Sequence, residues 1–447
     1  MNLLLKRIIK FFLTLTVTAA FVLPAQAEKL STMVDQVLEN HEDIINSKKE
    51  LEEASRDVTD AMLVYAPDLS VKWEGGQNDK YNAGTSDSQI EGFDTFDWTW
   101  KQKIMDSGAS MADIRNKNLA VEKKQLELIT SRNDLLIEAA DAYLGLIKAS
   151  EKLEASVAAE ANTRQTTGQE EIRVQVGSGL ASDVLKAKRQ LASAQKTVIS
   201  DEKSFKSAMY TYEKLFQVSD VNVNSLTKPR LAASTISMVP KSMEATVVMA
   251  LSGNRDLQIA KIDVETAKND LASALANFGP TVDAEAKYSD KDDASHTGGN
   301  HYEEQVKVTV EFPISGLYME MPGYLNDRSA LDRAINDLAL KERDTVKAAK
   351  DAWVEYANAR TLLSYSENEA TIAKELLTIA QKERAADQTD AAAVLAAEEA
   401  LEGALKDLSD DSMSLLTTVY EILDVINLLE PDMVEDTSRV GTFNTSS

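Results

Sequence analysis

From about Ala109 to Glu171 the chain runs without a proline, and apolar side chains recur along it at seven-residue intervals. Leu119, Leu126, Ala140 and Ile147 form one row. Ile129, Leu136 and Tyr143 form a second, and Ile114, Val121, Leu128, Leu135, Ala142 and Ala149 a third. At 100° per residue the rows together cover an arc of roughly 160°, wider than the seam of a two-stranded coiled coil, so the helix has neighbours on both flanks. A helix of this length extends roughly 90 to 100 Å, several times the diameter of a small domain. No compact globule accommodates such a rod.

The chain also echoes itself. Glu42 to Gly75 reads as helix, Pro67, strand, and Arg255 to Ser289 repeats that order around Pro280. Asp43, Lys48, Ala54, Asp57 and Ala61 then fall on Asp256, Lys261, Ala267, Asp270 and Ala274. Further on, Asp141-Ala142-Tyr143 pairs with Asp351-Ala352-Trp353, and Val184-Leu185 with Val394-Leu395. A period this long signals two structural halves rather than a solenoid of small units. The spacing predicts a first repeat over 28–218, a linker over 219–242 carrying Pro229 and Pro240, a second repeat over 243–430, and a polar tail over 431–447. Within the repeats, helices are expected at about Ala181 to Val218, Asn326 to Ala385 and Asp390 to Leu429.

Composition narrows the function. The 447 residues include no cysteine, which excludes disulfide scaffolds, thiolate metal sites and thiol catalysis. A formal charge of −25 opposes nucleic acid and anionic lipid surfaces, so no nucleic-acid partner is expected. Eight prolines and 17 glycines are too few for many short elements joined by tight turns. Residues 1–27 read as a secretory signal: Lys6, Arg7 and Lys10, then an apolar core from Phe11 to Leu23, then Ala25-Gln26-Ala27 for cleavage. An uncleaved anchor helix would need about 20 apolar residues, more than follow the basic cluster.

Each half holds two runs with clean alternation. Leu69, Val71 and Trp73 alternate with Ser70, Lys72 and Glu74; Phe96, Trp98 and Trp100 alternate with Thr95, Asp97, Thr99 and Lys101. In the second half Val282, Ala284, Ala286 and Tyr288 alternate with Asp283, Glu285 and Lys287. Val306, Val308, Val310 and Phe312 alternate with Gln305, Lys307, Thr309 and Glu311. Such a strand ordinarily packs its apolar face in a soluble sandwich. In an exported chain, with polar loops expected at 75–91 and 289–302, the pattern also fits an outer-membrane barrel with Trp73, Phe96, Trp98, Trp100, Val306, Val308, Val310 and Phe312 toward lipid. Four strands cannot close a barrel and lipid tolerates no open sheet edge, so several chains must contribute. Alternation alone allows two, three or four copies.

The sharpest local motif runs from Val176-Gly177-Ser178-Gly179-Leu180 through Ala181-Ser182-Asp183-Val184-Leu185. Gly177 and Gly179 permit a turn, and Ser182 or Asp183 can cap the returning helix. With the signal, the duplication and the long helices, this motif resembles the periplasmic hairpin tip of the TolC family of outer-membrane efflux and secretion channels. The resemblance covers most of residues 30–430. It implies a mainly α fold with a small β part: long antiparallel helices forming a tunnel, and four strands per chain in a trimeric 12-stranded barrel. It also implies a homotrimer in the outer membrane extending into the periplasm, with outer-membrane lipid, a periplasmic adaptor and an inner-membrane transporter as partners, and a passive duct gated at the tips. Asp183 and Arg384 become candidates for contacts between hairpins that hold the tip closed.

The second tip, Ala386 to Glu398, departs from the family pattern. It lacks the valine-glycine pair, and Ala393 and Ala396 stand where some members place constricting aspartates. Asp387, Asp390, Glu398 and Glu399 are the nearby replacements. No nucleophile, base and orienting group stand together, and no glycine loop cradles phosphate, so no enzyme activity, cofactor or metal is expected. His41 reads as part of a helical approach, and His296 and His301, beside Asp292 and Asp293, as a solvated loop. The competing class is an exported, elongated coiled-coil protein, structural or adhesive, with a soluble β head.

Protein recovered from the cell envelope should begin at Glu28 by N-terminal sequencing. A first residue within 1–10 would identify an anchor instead.

Overall fold

The computed structural model describes residues 30–82, 87–177, 180–219, 221–223, 226–229, 233–293, 301–314, 316–386, 388–389 and 391–433. The first half contains α1 (Leu30–Asn40), α2 (Glu42–Met62), β1 (Asp68–Asn82), β2 (Asp87–Met105), α3 (Ala109–Gln175) and α4 (Ala181–Phe216). A short α5 (Ala233–Met238) follows. Then come α6 (Met243–Gly253), α7 (Arg255–Ala276), β3 (Thr281–Asp293), β4 (His301–Glu311), α8 (Gly316–Met319), α9 (Met321–Ala385) and α10 (Ala391–Val425). The order helix, hairpin, very long helix, return helix occurs twice, as the sequence echo requires.

The 67 residues of α3 and the 65 of α9 make rods of about 100 Å each. Neither stands alone. Helix α3 packs on α2 and α7 toward the sheet and on α4 and α10 toward the other end, while α9 packs on α7, α6 and α10. Each half of the wall is therefore four helices wide: α2, α3, α7, α9 above, and α4, α3, α10, α9 below. The two flanks on α3 explain the wide apolar arc of its sequence.

The main core lies at the waist, where the upper and lower helices meet, and not under the sheet. Leu136, Tyr143, Leu146, Tyr212, Val419, Tyr420, Ile422 and Leu423 are buried there with Leu30, Val34 and Ile44 of α1 and α2. The rings of Tyr212 and Phe216 stack at 4.4 Å between centroids, and Tyr143 lies 6.3 Å from Tyr212. The Tyr143 hydroxyl donates to the Thr227 carbonyl at 2.9 Å and accepts from the Thr227 amide at 3.0 Å, which pins the inter-repeat segment to the waist. Its echo partner Trp353 also faces that segment, lining a groove with Ile236, Val239 and Pro240. Within this segment α5 forms, and Val221, Val223 and Leu226 pack against the core.

The four strands form one antiparallel sheet in the order β1, β2, β3, β4. The stretches 75–91 and 289–302, expected as loops, continue the ladder for much of their length, with Asn82 opposite Asp87 and Lys291 opposite His301. Backbone pairing needs no apolar side chains, so a hairpin can run on after the alternation stops. Residues 431–433, expected as free tail, form a 3₁₀ turn whose Met433 packs against the waist core. His41 is the N-cap of α2, its Nδ1 accepting the Asp43 amide at 3.3 Å.

Sheet and helices join at a tight crossing between the halves. Ser107 Oγ donates to the Pro280 carbonyl at 2.7 Å, and a Cβ at Gly279 would sit 2.1 Å from Ser107 Oγ and 2.5 Å from its Cβ. Gly279→Ala should therefore cost about 1 to 3 kcal/mol through overpacking, read as a lower thermal unfolding midpoint. Ser107→Gly in the same chain should restore most of the loss. At the waist, Tyr143→Phe strands both backbone groups of Thr227 and should cost about 1 to 3 kcal/mol in the same assay.

Candidate functional site

The strand register sorts the alternating residues by chemistry. Directly paired residues share a face, so successive rows read Trp73, Phe96, Asp290, Tyr302; then Val71, Trp98, Tyr288, Glu304; then Leu69, Trp100, Ala286, Val306; then Gln102, Ala284, Val308; then Met105, Val282, Val310, a face apolar but for Asp290, Glu304 and Gln102. The opposite face reads Lys72, Asp97, Ser289, Glu303; then Ser70, Thr99, Lys287, Gln305; then Asp68, Lys101, Glu285, Lys307. Ion pairs cross between strands on that charged face: Lys287 Nζ to Asp97 at 3.4 Å and Lys307 Nζ to Glu285 at 3.1 Å.

The apolar face is bare. None of the long helices packs across it, and Trp73 is 70% exposed, Val306 84% and Val308 67%; Trp100, in the middle of its row, is half-buried by neighbouring strands. Among the described residues no second sheet or long helix covers these side chains, as a soluble sandwich within one chain would require. From Tyr302 to Phe312 the exposed band is about 34 Å along the strand, or about 26 Å high at the tilt usual in barrels, the height of a bilayer's apolar layer. Among the described residues the outer edges of β1 and β4 have no strand partner.

The helical wall is equally unfinished at its sides. On α9, Tyr365, Ile372 and Ile379 are exposed at seven-residue spacing with Leu362 and Leu376 beside them, and on α4 Leu185, Ile199 and Tyr210 are exposed. These flanks lie at opposite ends of the four-helix order. No helix of the described residues is long and apolar enough to cross a membrane.

At the far end from the sheet, α3 and α4 form one hairpin and α9 and α10 another. Gly177 takes φ of +80° after the last turn of α3, a conformation that glycine adopts without the Cβ penalty. Gly179, Asp387 and Asp390 lie outside the described residues. The N-cap of α4 is Leu180, and no side chain caps it, so neither Ser182 nor Asp183 has the expected capping role. Asp183 sits inside the first turn, where a carboxylate favours the helix dipole, and pairs with Lys186 of the same helix at 3.3 Å. Among the described residues its ion pair is with this neighbour on α4, and the contact between hairpins expected of it stays untested.

Arg384 does bridge them. Its Nε donates to Glu170 Oε1 at 3.1 Å and its Nη2 donates to the same oxygen, while Nη1 donates to the Thr389 carbonyl at 2.9 Å across the turn. Glu170 is only 2% exposed, and its Oε2 has no hydrogen-bond partner. One turn up α3, Thr166 Oγ1 donates to Glu398 Oε1 at 3.2 Å. Glu398, one of the acids expected to replace the constriction, is buried between hairpins instead, and burial pushes its carboxyl above the ordinary range although Thr166 opposes the shift. Glu399 faces α4, accepting from Gln190 at 3.3 Å. A cleft of about 560 Å³, lined by Thr166, Glu170, Arg173, Arg384, Val394 and Glu398, separates the hairpins here.

Glu170 and Thr166 escaped the sequence reading, yet a signal existed. The row Ile114, Val121, Leu128, Leu135, Ala142, Ala149 continues at the same spacing through Ser156, Thr163 and Glu170, all three buried. Arg384 ends the corresponding row of α9 after Ala349, Ala370 and Leu377. Near the waist three more carboxylates gather: Asp141, which accepts from Thr417 at 2.9 Å, Glu355 and Glu421. Burial, then the Glu355 and Asp141 charges, raise the Glu421 carboxyl. Among the described residues no group of three or more histidines or acids is placed to hold a metal ion, and Asp292 and His301 lie within strands.

Residues 33–214 match the family model described as outer membrane efflux protein. The outer membrane protein TolC of Vibrio cholerae is 22% identical over 296 residues, 64% of this chain, and the match spans 65% of that relative's length. Among solved structures, the outer-membrane channel OprN superposes with a TM-score of 0.78 at 16% identity, covering 89% of each chain. The outer membrane protein VceC of Vibrio cholerae superposes at 0.75 and 15% identity, covering 89% of this chain and 95% of its own. The fold is that of these proteins across nine-tenths of the chain. With a bare apolar sheet above a helical wall, and with residues 33–214 of that architecture matching the family model, the chain is similar to outer membrane efflux proteins and shares the fold of outer-membrane channels.

Proposed function

We propose that the protein is a passive exit duct: a homotrimer whose sheets close into a 12-stranded barrel in the outer membrane and whose helices continue as a tunnel through the periplasm. The observation that carries this reading is the double incompleteness of one chain, with two open strand edges above two exposed helical flanks. Joining β4 of one copy to β1 of the next satisfies the edges, and the same rotation brings the apolar stripe of α9 against α4 or α2 of the neighbour. The exported coiled-coil alternative leaves both the edges and the bare apolar face without a partner.

Transport through such a duct needs no chemistry from this chain. Energy comes from an inner-membrane transporter, of the tripartite efflux or type I secretion kind, joined through a periplasmic adaptor. Cations are favoured, because the chain carries −25 and Asp141, Glu355 and Glu421 cluster at the waist. The gate lies at the tips. Arg384 holds the second hairpin to Glu170 of the first, and opening requires that this buried pair be broken or exchanged. Removing one partner of such a pair leaves the other buried and uncompensated, which costs about 3 to 5 kcal/mol.

Arg384→Ala should therefore raise single-channel conductance in planar bilayers several-fold while the assembly stays intact. Conductance equal to wild type would sink the latch. Separately, Val308→Lys places a charge in the apolar band and should cost about 2 to 4 kcal/mol near the bilayer midplane. The expected readout is loss of the heat-modifiable oligomer in outer-membrane extracts. A detergent-solution mass of one chain for the wild-type protein would refute the assembly.

A further inference from the structure

We infer that Glu398 is a proton-operated arm of the tip latch: protonated, it stays folded between the hairpins and leaves Arg384 to Glu170; ionised, it competes with Glu170 for Arg384 and loosens the closed tip. This rests on the latch reading above and adds its regulation.

Geometry carries the inference. Glu398 is 7% exposed, one of its oxygens accepts from Thr166, and the other has no hydrogen-bond partner. The cleft that holds it contains three other charged groups: Glu170 and Arg173 from α3, and Arg384 from α9. Helix α4 contributes none of the cleft lining, and on α10 itself Glu399 is engaged by Gln190 and Glu402 by Lys406. Arg384 is already committed to Glu170 and to the Thr389 carbonyl. An ionised Glu398 in this position is a charge without a dedicated counterion, and such a charge is costly unless a partner is drawn to it. Thr166 and Glu170 are four residues apart on α3, a rise of about 6 Å, a span that a long guanidinium side chain can cover.

The direction of the pH effect follows. Burial raises the Glu398 carboxyl above its ordinary range, so the closed tip binds the proton more tightly than an open tip in which Glu398 meets water. Closure is fully favoured below the ordinary carboxylate value and loses that support as the pH rises through the raised value. Each pH unit between the closed and open values changes the closed-to-open ratio about tenfold.

The test is open probability against pH in planar bilayers, using the full-length assembly with wild type, Glu398→Gln, Thr166→Val and Arg384→Ala. Wild type should open progressively as the pH rises above the ordinary carboxylate range. Glu398→Gln, a permanent mimic of the protonated form, should stay at the acid-side level throughout. Thr166→Val removes the hydroxyl that favours the ionised form and should move the wild-type midpoint to higher pH; it also serves should Glu398→Gln fail to assemble. A Glu398→Gln curve that titrates like wild type, or a Thr166→Val midpoint that does not move, overturns the inference. If Arg384→Ala opens the channel at all pH values while Glu398→Gln still titrates, the latch stands and only its proton control falls. If Arg384→Ala opens at none, the latch itself falls.

Discussion

A backbone amide or carbonyl facing hydrocarbon has no water to bond, and the free-energy cost of several kcal/mol per group decides what a strand at the sheet edge must do. Among the described residues β1 and β4 each have an outer edge without a strand partner, beside an apolar face that no long helix covers. In water the exposed Val306, Val308 and Trp73 would drive aggregation, and in lipid the edges would be intolerable. Both problems disappear in one arrangement: edge to edge, apolar face out, charged face in. The helices below inherit the geometry. In the proposed assembly the strands leave the membrane around a closed circle, so the rods that continue them form a wall, and each chain supplies a strip of it four helices wide.

Along that wall the kind of contact changes with distance from the membrane. At the waist the seam is Leu136, Leu146, Ile422 and Leu423, packed with aromatic rings and pinned by Tyr143. Burial of this kind is non-directional and has no alternative partner, so it holds one arrangement. Below the waist the same seven-residue row presents Ser156, Thr163 and Glu170. Polar seams need specific partners, and a partner can be exchanged. Lys152 with Asp410 at 2.6 Å and Lys406 with Asp201 at 2.8 Å fix helix to helix, and at the tip Arg384 on Glu170, Thr166 on Glu398 and Gln190 on Glu399 join the two hairpins. In the proposed duct, a rigid upper tube and a tip able to rearrange would follow from one helix whose buried row turns polar.

Much of this was legible in sequence because the elements are long. The helical period over Ala109–Gln175 spans so many turns that no local preference competes with it, and alternation in Leu69 to Trp73 and Val306 to Phe312 fixed the sheet faces before the register was known. What escaped shares a cause. The ladder beyond Gly75 and beyond Ser289 is held by backbone bonds, which leave no mark in side-chain pattern. Asp183 was expected as a cap on residue type alone, whereas capping depends on which residue first leaves helical geometry, and that is Leu180. Glu170 drew no notice, and Glu398 was expected as a replacement for the constricting acids on residue type alone. Their positions on the buried row and facing it were the better guide.

The duplication bears on the latch itself. Were the two hairpins of a chain identical, every hairpin would need both an arginine and its acceptor, and the wall would have no means of telling one seam from the next. Here the halves have diverged at the tips. The first hairpin turns at Gly177 and exposes Ile172, Val176, Leu180 and Leu185, while the second is rich in alanine and carries Arg384 and Glu398. The seam between α3 and the second hairpin within a chain therefore holds the charged pair, while the outer flank of α9 presents Tyr365, Ile372 and Ile379. In the proposed assembly a wall built this way would have two kinds of joint in alternation, one that binds copies together and one that can be released without dissolving the assembly.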